Sequence, residues 1–244
     1  MRIGECGMRN DPRTLQFRNP HSAIRNPKEW GLYLVTDRRQ TGGRDLLEVV
    51  RQALRAGVRA VQLREKDLPT RDLYHLAEKL LAMTRAAGAA LLLNDRVDVA
   101  MALGADGVHL TRRSLPPRET RDLLGPLKII GISCHSLADV REAVDGGADF
   151  IVLGPIYETP SKAAFGPPLT PAVLRQARAV TSLAILAIGG INPLRIPDVT
   201  AAGADGVAVV SAVMAAPDPA AAAAQLLAAV ARARSQGTSA AGGT

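Results

Sequence analysis

The sequence predicts a single (β/α)8 barrel, an α/β fold of the TIM-barrel type, preceded by a disordered N-terminal extension. Short apolar or β-branched runs alternate eight times with longer stretches of helical spacing. A short glycine-containing motif recurs where predicted helices give way to predicted strands. The chain length of 244 residues suits one barrel of this kind.

Each predicted strand is a short apolar run that ends at polar or glycine residues. In chain order the strands are Leu32–Thr36, Val58–Leu63, Ala90–Leu93, Gly107–Leu110, Lys128–Ile132, Phe150–Leu153, Ala184–Ile188 and Gly206–Val209. Helical spacing fills the intervals between these runs. The clearest helices are Asp45–Ala56, Arg71–Ala87, Leu137–Asp145, Pro171–Ala179 and Pro219–Ala233.

A repeated Gly-Ala-Asp motif precedes three of the strands and supports the count of repeating units. A looser copy, without the aspartate, starts at Gly57. We expect the glycine to end a helix in the left-handed conformation. We expect the aspartate to stabilise the turn into the next strand, which is a structural role. The three aspartates are Asp106, Asp149 and Asp205.

The alternative fold is a doubly wound sheet, whose first strand should be followed by Gly-x-Gly-x-x-Gly. Residues 37–43 read Asp-Arg-Arg-Gln-Thr-Gly-Gly, which does not match that pattern. Residues 1–30 lack periodicity and are predicted to be a disordered extension, with the barrel over residues 31–234 and a flexible tail over 235–244.

Composition excludes several classes of protein. Lysine and arginine number 30 against 23 acidic residues, a net charge of +7, while three Phe, three Tyr and one Trp offer few stacking surfaces for nucleic acid. Small phosphorylated metabolites are therefore the expected partners, and nucleic acid is not. No apolar run is long enough for a membrane span. Two cysteines form no disulfide framework, so we expect a cytoplasmic protein.

The second predicted strand continues into a charged run at the end where barrel chemistry is found. Because side chains alternate along a strand, Gln62, Arg64 and Lys66 share one face. If that face lines the barrel mouth, two cations and an amide converge on an anionic ligand. The alternative is a solvated charge run, which would not be expected to follow directly from a buried strand.

The third strand ends at Asn94 and Asp95. Oxygen ligands of this type hold Mg²⁺, which keeps waters and substrate phosphates in its coordination shell. The alternative is that Asp95 caps the following helix. The two roles are compatible.

Histidines follow the fourth and fifth strands, where a group that moves protons would be useful. His109 ends strand four, while Ser133 and His135 end strand five. Either histidine could titrate near neutral pH. The position of His135 makes it the stronger catalytic candidate, whereas a lone histidine such as His109 is more often structural.

The loops after strands six, seven and eight have the composition of a phosphate site. Residues 154–168 are too long and polar for a tight turn, and Lys162 suits a lid that grips phosphate, although a passive loop is the alternative. Gly189, Gly190 and Ser211 follow strands seven and eight, the usual barrel phosphate site. Two anion-binding zones are thus predicted, for two phosphorylated substrates or one elongated one.

Motifs in order over residues 31 to about 215 resemble the thiamine-phosphate synthase and thiazole-tautomerase family. The matching segments are residues 32–37, 62–66, 94–98, 106–110, 131–133, 154–162, 187–191 and 206–211. The resemblance implies a synthase that joins a hydroxymethylpyrimidine diphosphate to a thiazole phosphate and releases diphosphate. It also implies Mg²⁺, which neutralises the leaving diphosphate as positive charge develops on the pyrimidine.

The resemblance also implies roles for individual residues. Ser133 would lie beside the reacting pyrimidine, and Ser133, His135 and Lys162 are the catalytic candidates. Asp95 would bind Mg²⁺. The implied substrate-binding residues are Gln62, Arg64, Lys66 and Asn94 for the pyrimidine diphosphate, Thr159, Ser161 and Lys162 for the thiazole partner and diphosphate, and Gly190, Val210 and Ser211 for the thiazole phosphate.

One position departs from the synthase pattern. Ser114 stands where synthases carry a second carboxylate ligand for Mg²⁺, and Arg112 replaces a glutamine and could supply charge in its place. A hydroxyl is a poorer Mg²⁺ ligand than a carboxylate. Ser114 and His135 therefore leave open a metal-independent thiazole tautomerase, in which His135 moves a proton. A non-catalytic barrel that binds a phosphorylated ligand also remains open, but Arg64, Lys66 and Asp95 favour the synthase.

Overall fold

The computed structural model describes residues 26–159 and 166–241. In these ranges, eight parallel strands close into a barrel in sequence order, with the last strand paired to the first. The strands are β1 (Leu32–Val35), β2 (Ala60–Leu63), β3 (Ala90–Asn94), β4 (Gly107–Leu110), β5 (Ile129–Cys134), β6 (Phe150–Leu153), β7 (Ala184–Ile188) and β8 (Gly206–Val209). The predicted (β/α)8 fold is confirmed.

Helices surround the barrel and connect successive strands. They are α1 (Leu46–Arg55), α2 (Thr70–Ala86), α3 (Val97–Leu103), α4 (Pro117–Leu124), α5 (Leu137–Asp145), α6 (Ala172–Val180), α7 (Ile196–Ala201), α8 (Ser211–Met214) and α9 (Pro219–Ala241). Most predicted boundaries agree with these to within two residues. None of the helices in the described ranges is long and apolar enough to cross a membrane.

Strand alternation divides the apolar side chains into two buried layers. One layer packs between the strands and the helices, and the other fills the barrel interior. The interior layer contains an aromatic cluster in which Trp30 stacks on Tyr33 at 5.6 Å and meets the edge of Phe150 at 5.1 Å between ring centroids. These rings close the amino-terminal half of the barrel, so the polar side chains collect at the other end.

The recurring aspartates have the structural role that the sequence predicts. Each carboxylate accepts a hydrogen bond from the first part of the preceding strand, at the amino-terminal rim of the barrel. The bonds come from Leu91 N to Asp106 at 2.8 Å, from Ile130 N to Asp149 at 2.7 Å, and from Ile185 N to Asp205 at 2.8 Å. The repeat therefore links neighbouring strands far from the mouth.

The predicted limits of the barrel need correction at both ends. Residues 26–30 are ordered, because Asn26 accepts a hydrogen bond from the Lys28 amide and Trp30 is 1% exposed inside the barrel. Burial of this one large side chain outweighs the polar composition around it. The predicted tail is also wrong in part, since α9 continues to Ala241. Residues 1–25 and 242–244 lie outside the described residues.

Gly131 has no side chain, and the rings of Phe150 and His109 occupy the space that a side chain would take. A Cβ at this inner-face position would overlap the Phe150 ring and come within 2.9 Å of His109 Nδ1. We expect Gly131→Ala to lower the free energy of unfolding by about 1–3 kcal/mol through overpacking, measured by urea unfolding. The double variant with Phe150→Leu should lose less free energy of unfolding than the two single variants lose in sum. Simple additivity of the two losses would contradict this explanation.

Candidate active site at the barrel mouth

Three polar side chains on the inner face form the base of the barrel mouth. Gln62, Asn94 and Ser133 come from β2, β3 and β5, close to the carboxyl ends of those strands. Gln62 is 2% exposed, and its Nε2 has no hydrogen-bond partner. A buried donor without a partner is rare in native proteins. It indicates a place for a ligand that brings its own acceptor.

The loop after β2 carries cations to the same mouth. Arg64 is half-buried and its backbone N–H donates to Thr36 Oγ1 at 3.0 Å. Lys66 lines a cavity of about 280 Å³ together with Asn94 and Asp95. Arg96 also lines this cavity. The structure therefore brings three predicted site residues around one space.

Glu65, which also lines this cavity, holds the loop after β2 in place. Its carboxylate is buried and accepts hydrogen bonds from Thr36 Oγ1 at 2.8 Å, from the Arg38 backbone at 3.1 Å and from Arg38 Nη1 at 3.1 Å. Arg38 also pairs with Asp67 at 2.6 Å. Glu65 was not predicted as a structural residue, although alternation along the strand places it on the opposite face from Arg64.

Asp95 is the acidic group at the centre of the mouth. Its φ of 60° is unusual for a residue other than glycine, and such strain is common at functional sites. Oδ2 accepts from Asn94 Nδ2 at 2.7 Å, and Oδ1 accepts from the hydroxyls of Ser114 and Thr111. The capping alternative is wrong, because Arg96 occupies the N-cap of α3 and no side chain caps that helix.

This donor set fits a magnesium ion that shares its ligands with a substrate. The described residues contain no cluster of three or more His, Cys, Asp or Glu side chains that could form a complete metal site. Mg²⁺ commonly binds through one or two carboxylates, with substrate phosphates completing the shell. Asp95 offers the carboxylate, and the hydroxyl oxygens of Ser114 and Thr111 adjoin it.

A buried histidine lies below this polar layer. His109 Nε2 is 2.9 Å from Ser133 Oγ, and Nδ1 is 3.4 Å from the Tyr33 hydroxyl. Burial lowers the pKa of His109 to about 3; Asp95 opposes this shift, and Arg64 adds to it. The ring is therefore neutral near pH 7.

The other candidate histidine lies at the edge of the mouth. His135 is exposed, its Nδ1 is 2.5 Å from the Gly154 carbonyl, and its backbone N–H donates to Asp139. Arg112 lies 3.6 Å from the same aspartate. The structure pairs Arg112 with Asp139, and its predicted role of supplying charge in place of the missing carboxylate stays a prediction.

The predicted phosphate loops adjoin each other because β7 pairs with β8. Gly189 and Gly190 have φ values of 96° and 64°, and a Cβ at Gly190 would come within 2.7 Å of the Glu158 carbonyl. Ser211 opens α8 after the half-buried Val210. Glycine is thus required at Gly190 because the loop after β6 approaches it closely, and the predicted close approach of an anion stays a prediction.

The loop after β6 is described only in part. Thr159 is half-buried. Ser161 and Lys162 lie outside the described residues, so their predicted roles stay predictions.

Comparison with known proteins places the chain beside one group of enzymes. Residues 32–213 match the family model described as thiamine monophosphate synthase. A Geobacter sulfurreducens protein is 52% identical over 191 residues, 78% of this chain and 90% of that one. The thiamine-phosphate synthase of Moorella thermoacetica is 47% identical over 206 residues, 84% and 98% of the two chains.

A solved structure gives the same indication. Thiamine phosphate pyrophosphorylase from Pyrococcus furiosus superposes with a TM-score of 0.77 at 37% sequence identity. The match covers 86% of this chain and 98% of that one.

We expect Glu65→Gln to lower the free energy of unfolding by about 1–3 kcal/mol, because a buried hydrogen-bonded charge pair with Arg38 is lost. Urea unfolding at pH 7 measures this change. Glu48→Gln removes an exposed pair with Arg51 and serves as the matched control, with an unchanged unfolding midpoint. Equal midpoints for the two variants would contradict a structural role for Glu65.

The neutral state of His109 predicts a specific acid sensitivity. The folded pKa of about 3 lies below the ordinary value of 6.5, so the unfolded chain gains a proton first as pH falls. The stabilisation is complete above pH 6.5 and is lost progressively as pH falls toward 3. Between pH 7 and 5 we expect a loss of about 2 kcal/mol in the free energy of unfolding.

The comparison of variants isolates the contribution of His109. His109→Gln should lack this loss, whereas His75→Gln on the exposed face of α2 should retain it. The same pH dependence in all three proteins would show that His109 is not the responsible group.

Proposed function

This chain belongs to the thiamine monophosphate synthase family, and we propose that it joins a hydroxymethylpyrimidine diphosphate to a thiazole phosphate with release of diphosphate. Family membership makes it a transferase of thiamine biosynthesis. The tautomerase and the non-catalytic barrel are not favoured, because the relatives described above are synthases.

The observation that carries this proposal is the grouping of opposite charges around one cavity. Lys66 and Asp95 line it, a combination that suits a diphosphate and the cation that accompanies it, and Arg96, whose guanidinium pairs with Asp98 at 2.6 Å, borders it. Arg64 is half-buried and lies two residues before Lys66 in the same loop. We assign the diphosphate to this side of the mouth, held by Arg64 and Lys66.

The pyrimidine ring occupies the interior side in this proposal. Gln62 offers an unpaired amide donor, and Ser133 and Asn94 lie on the same inner face. The floor beneath them is aromatic and buried, so the ring lies in a site from which water is largely excluded. Such a site strengthens each hydrogen bond to the substrate.

The thiazole phosphate occupies the loops after β7 and β8. Gly189 and Gly190 are half-buried after β7, and Val210 and Ser211 follow β8, which pairs with β7, so the four residues lie at neighbouring strand ends. The family resemblance implies that Thr159, Ser161 and Lys162 meet the thiazole partner and the diphosphate, and of these the structure describes only Thr159. We propose that Lys162 neutralises the diphosphate as it leaves.

The reaction breaks the bond between the pyrimidine methylene and the diphosphate oxygen and forms a bond from that methylene to the thiazole nitrogen. Bound Mg²⁺ would neutralise the leaving diphosphate. The chain's own residues bind and orient: Arg64 and Lys66 hold the anion, and Gln62 and Ser133 hold the ring. Catalysis of this kind depends on positioning and on electrostatic stabilisation.

Ser114 gives this enzyme a magnesium site with one carboxylate. Its hydroxyl donates to Asp95 instead of adding a second negative charge. We therefore propose that Asp95 holds Mg²⁺ together with the substrate diphosphate, and that the ion binds less tightly than in a site with two carboxylates. His135 is outside this mechanism as a proton carrier. We also propose a cytoplasmic location, in keeping with a buried, reduced Cys134.

The direct test supplies both substrates with and without Mg²⁺. Thiamine phosphate and diphosphate should form in equal amounts, and only with the metal. Ser114→Asp should reduce the Mg²⁺ concentration for half-maximal rate about tenfold, since a second carboxylate improves the site.

Ser136→Asp is the matched control for added charge. Ser136 caps α5, a role that aspartate also fills, so the Mg²⁺ dependence should not change. No product from the natural chain, while a known synthase is active in the same assay, would reject the proposed function.

A further inference from the structure

We propose that Tyr33 and His109 are positioning residues that make Ser133 a hydrogen-bond donor toward the bound pyrimidine, an inference that rests on the proposed function. The three side chains form a continuous chain of contacts from the barrel interior to the mouth. The Tyr33 hydroxyl is 3.4 Å from His109 Nδ1, and His109 Nε2 is 2.9 Å from Ser133 Oγ.

The direction of the hydrogen bonds from Tyr33 through His109 to Ser133 is set at the buried end of the series. Tyr33 is completely buried, and burial raises the pKa of its hydroxyl well above the ordinary value, so the hydroxyl keeps its proton. His109 Nδ1 is the hydrogen-bond partner that the structure gives to this hydroxyl. A protonated phenol that donates to Nδ1 leaves the proton of the neutral imidazole on Nε2.

The imidazole is held in one orientation by its neighbours. His109 is 3% exposed and packs against Tyr33 and Phe150, with centroid distances of 5.7 Å to each ring. Gly131 leaves the space beside Nδ1, which any larger side chain would fill. The same packing therefore places the ring and keeps water away from its hydrogen bonds.

The consequence of placing the His109 proton on Nε2 appears at Ser133. When Nε2–H donates to Ser133 Oγ, the serine acts as acceptor in that bond, and its own proton is available to another group. Ser133 is half-buried on the inner face, where Gln62 Nε2 also lacks a partner. The mouth then presents two donors. A pyrimidine ring, whose two ring nitrogens are acceptors, matches this arrangement.

The first experiment measures binding of hydroxymethylpyrimidine diphosphate by calorimetry and the rate of the full reaction. Tyr33→Phe keeps the buried ring and removes only the hydroxyl. We expect its dissociation constant for the pyrimidine substrate to rise about fivefold, with the KM for the thiazole phosphate unchanged. Tyr74→Phe is the matched control, because Tyr74 also contacts a histidine at 5.7 Å, on the outer helix α2.

A double-mutant cycle separates positioning from packing. If Tyr33 acts through Ser133, adding Tyr33→Phe to Ser133→Ala should produce no further loss of pyrimidine binding. A full additional fivefold loss in that background would overturn the proposal. His109→Gln, whose amide can still donate to Ser133, should bind the pyrimidine more tightly than His109→Leu, and equal binding by the two variants would also overturn it.

The position of the proton can be observed without any turnover. Long-range ¹H–¹⁵N spectra of the histidine-labelled natural chain, assigned with His109→Gln, should show the His109 proton on Nε2. A proton on Nδ1 would overturn the proposal even if the enzyme makes thiamine phosphate. A proton on Nε2 in a chain that makes no thiamine phosphate would instead reject the proposed function and leave the direction of the relay intact.

Discussion

The alternation of side chains along closed parallel strands is the constraint on which the rest of this structure depends. Every second residue of a strand must fit inside the barrel, where space is limited. Small residues such as Ala60, Ala208 and Gly131 leave that space to Trp30 and Phe150. The large rings collect in the lower half, and polar groups are left at the mouth. Position in the barrel thus decides which inner residues support the fold and which meet a ligand.

This constraint explains what the sequence predicts and where prediction fails. Strand positions and the role of Asp106 follow from local patterns, because apolar runs and glycine turns act over a few residues. The burial of Glu65 and the attachment of Arg112 to Asp139 depend on side chains that meet only after the barrel closes. Trp30 was missed for the same reason, since its packing partners lie far along the chain.

The barrel mouth contains one polar group whose hydrogen bonds are already made and one whose hydrogen bond is missing. Asp95 already accepts hydrogen bonds from Asn94, Thr111 and Ser114, so its carboxylate is held in place before any ligand binds. Gln62, in contrast, carries the cost of an unpaired buried amide. In the function proposed above, a ligand that satisfies the amide would remove that cost on binding and would be favoured over an isostere without the acceptor. Under that proposal, charge contributes affinity and the buried polar groups contribute selectivity.

Ring closure joins the two ends of the described barrel, with Leu32 opposite Val207. During synthesis on the ribosome, β1 emerges long before the strand that will cover its free edge. The sheet must therefore stay open until β8 has left the exit tunnel, and only then can the barrel mouth take shape. Arg234 of α9 donates to the Lys28 carbonyl at 2.7 Å and so links the last helix to the segment before β1.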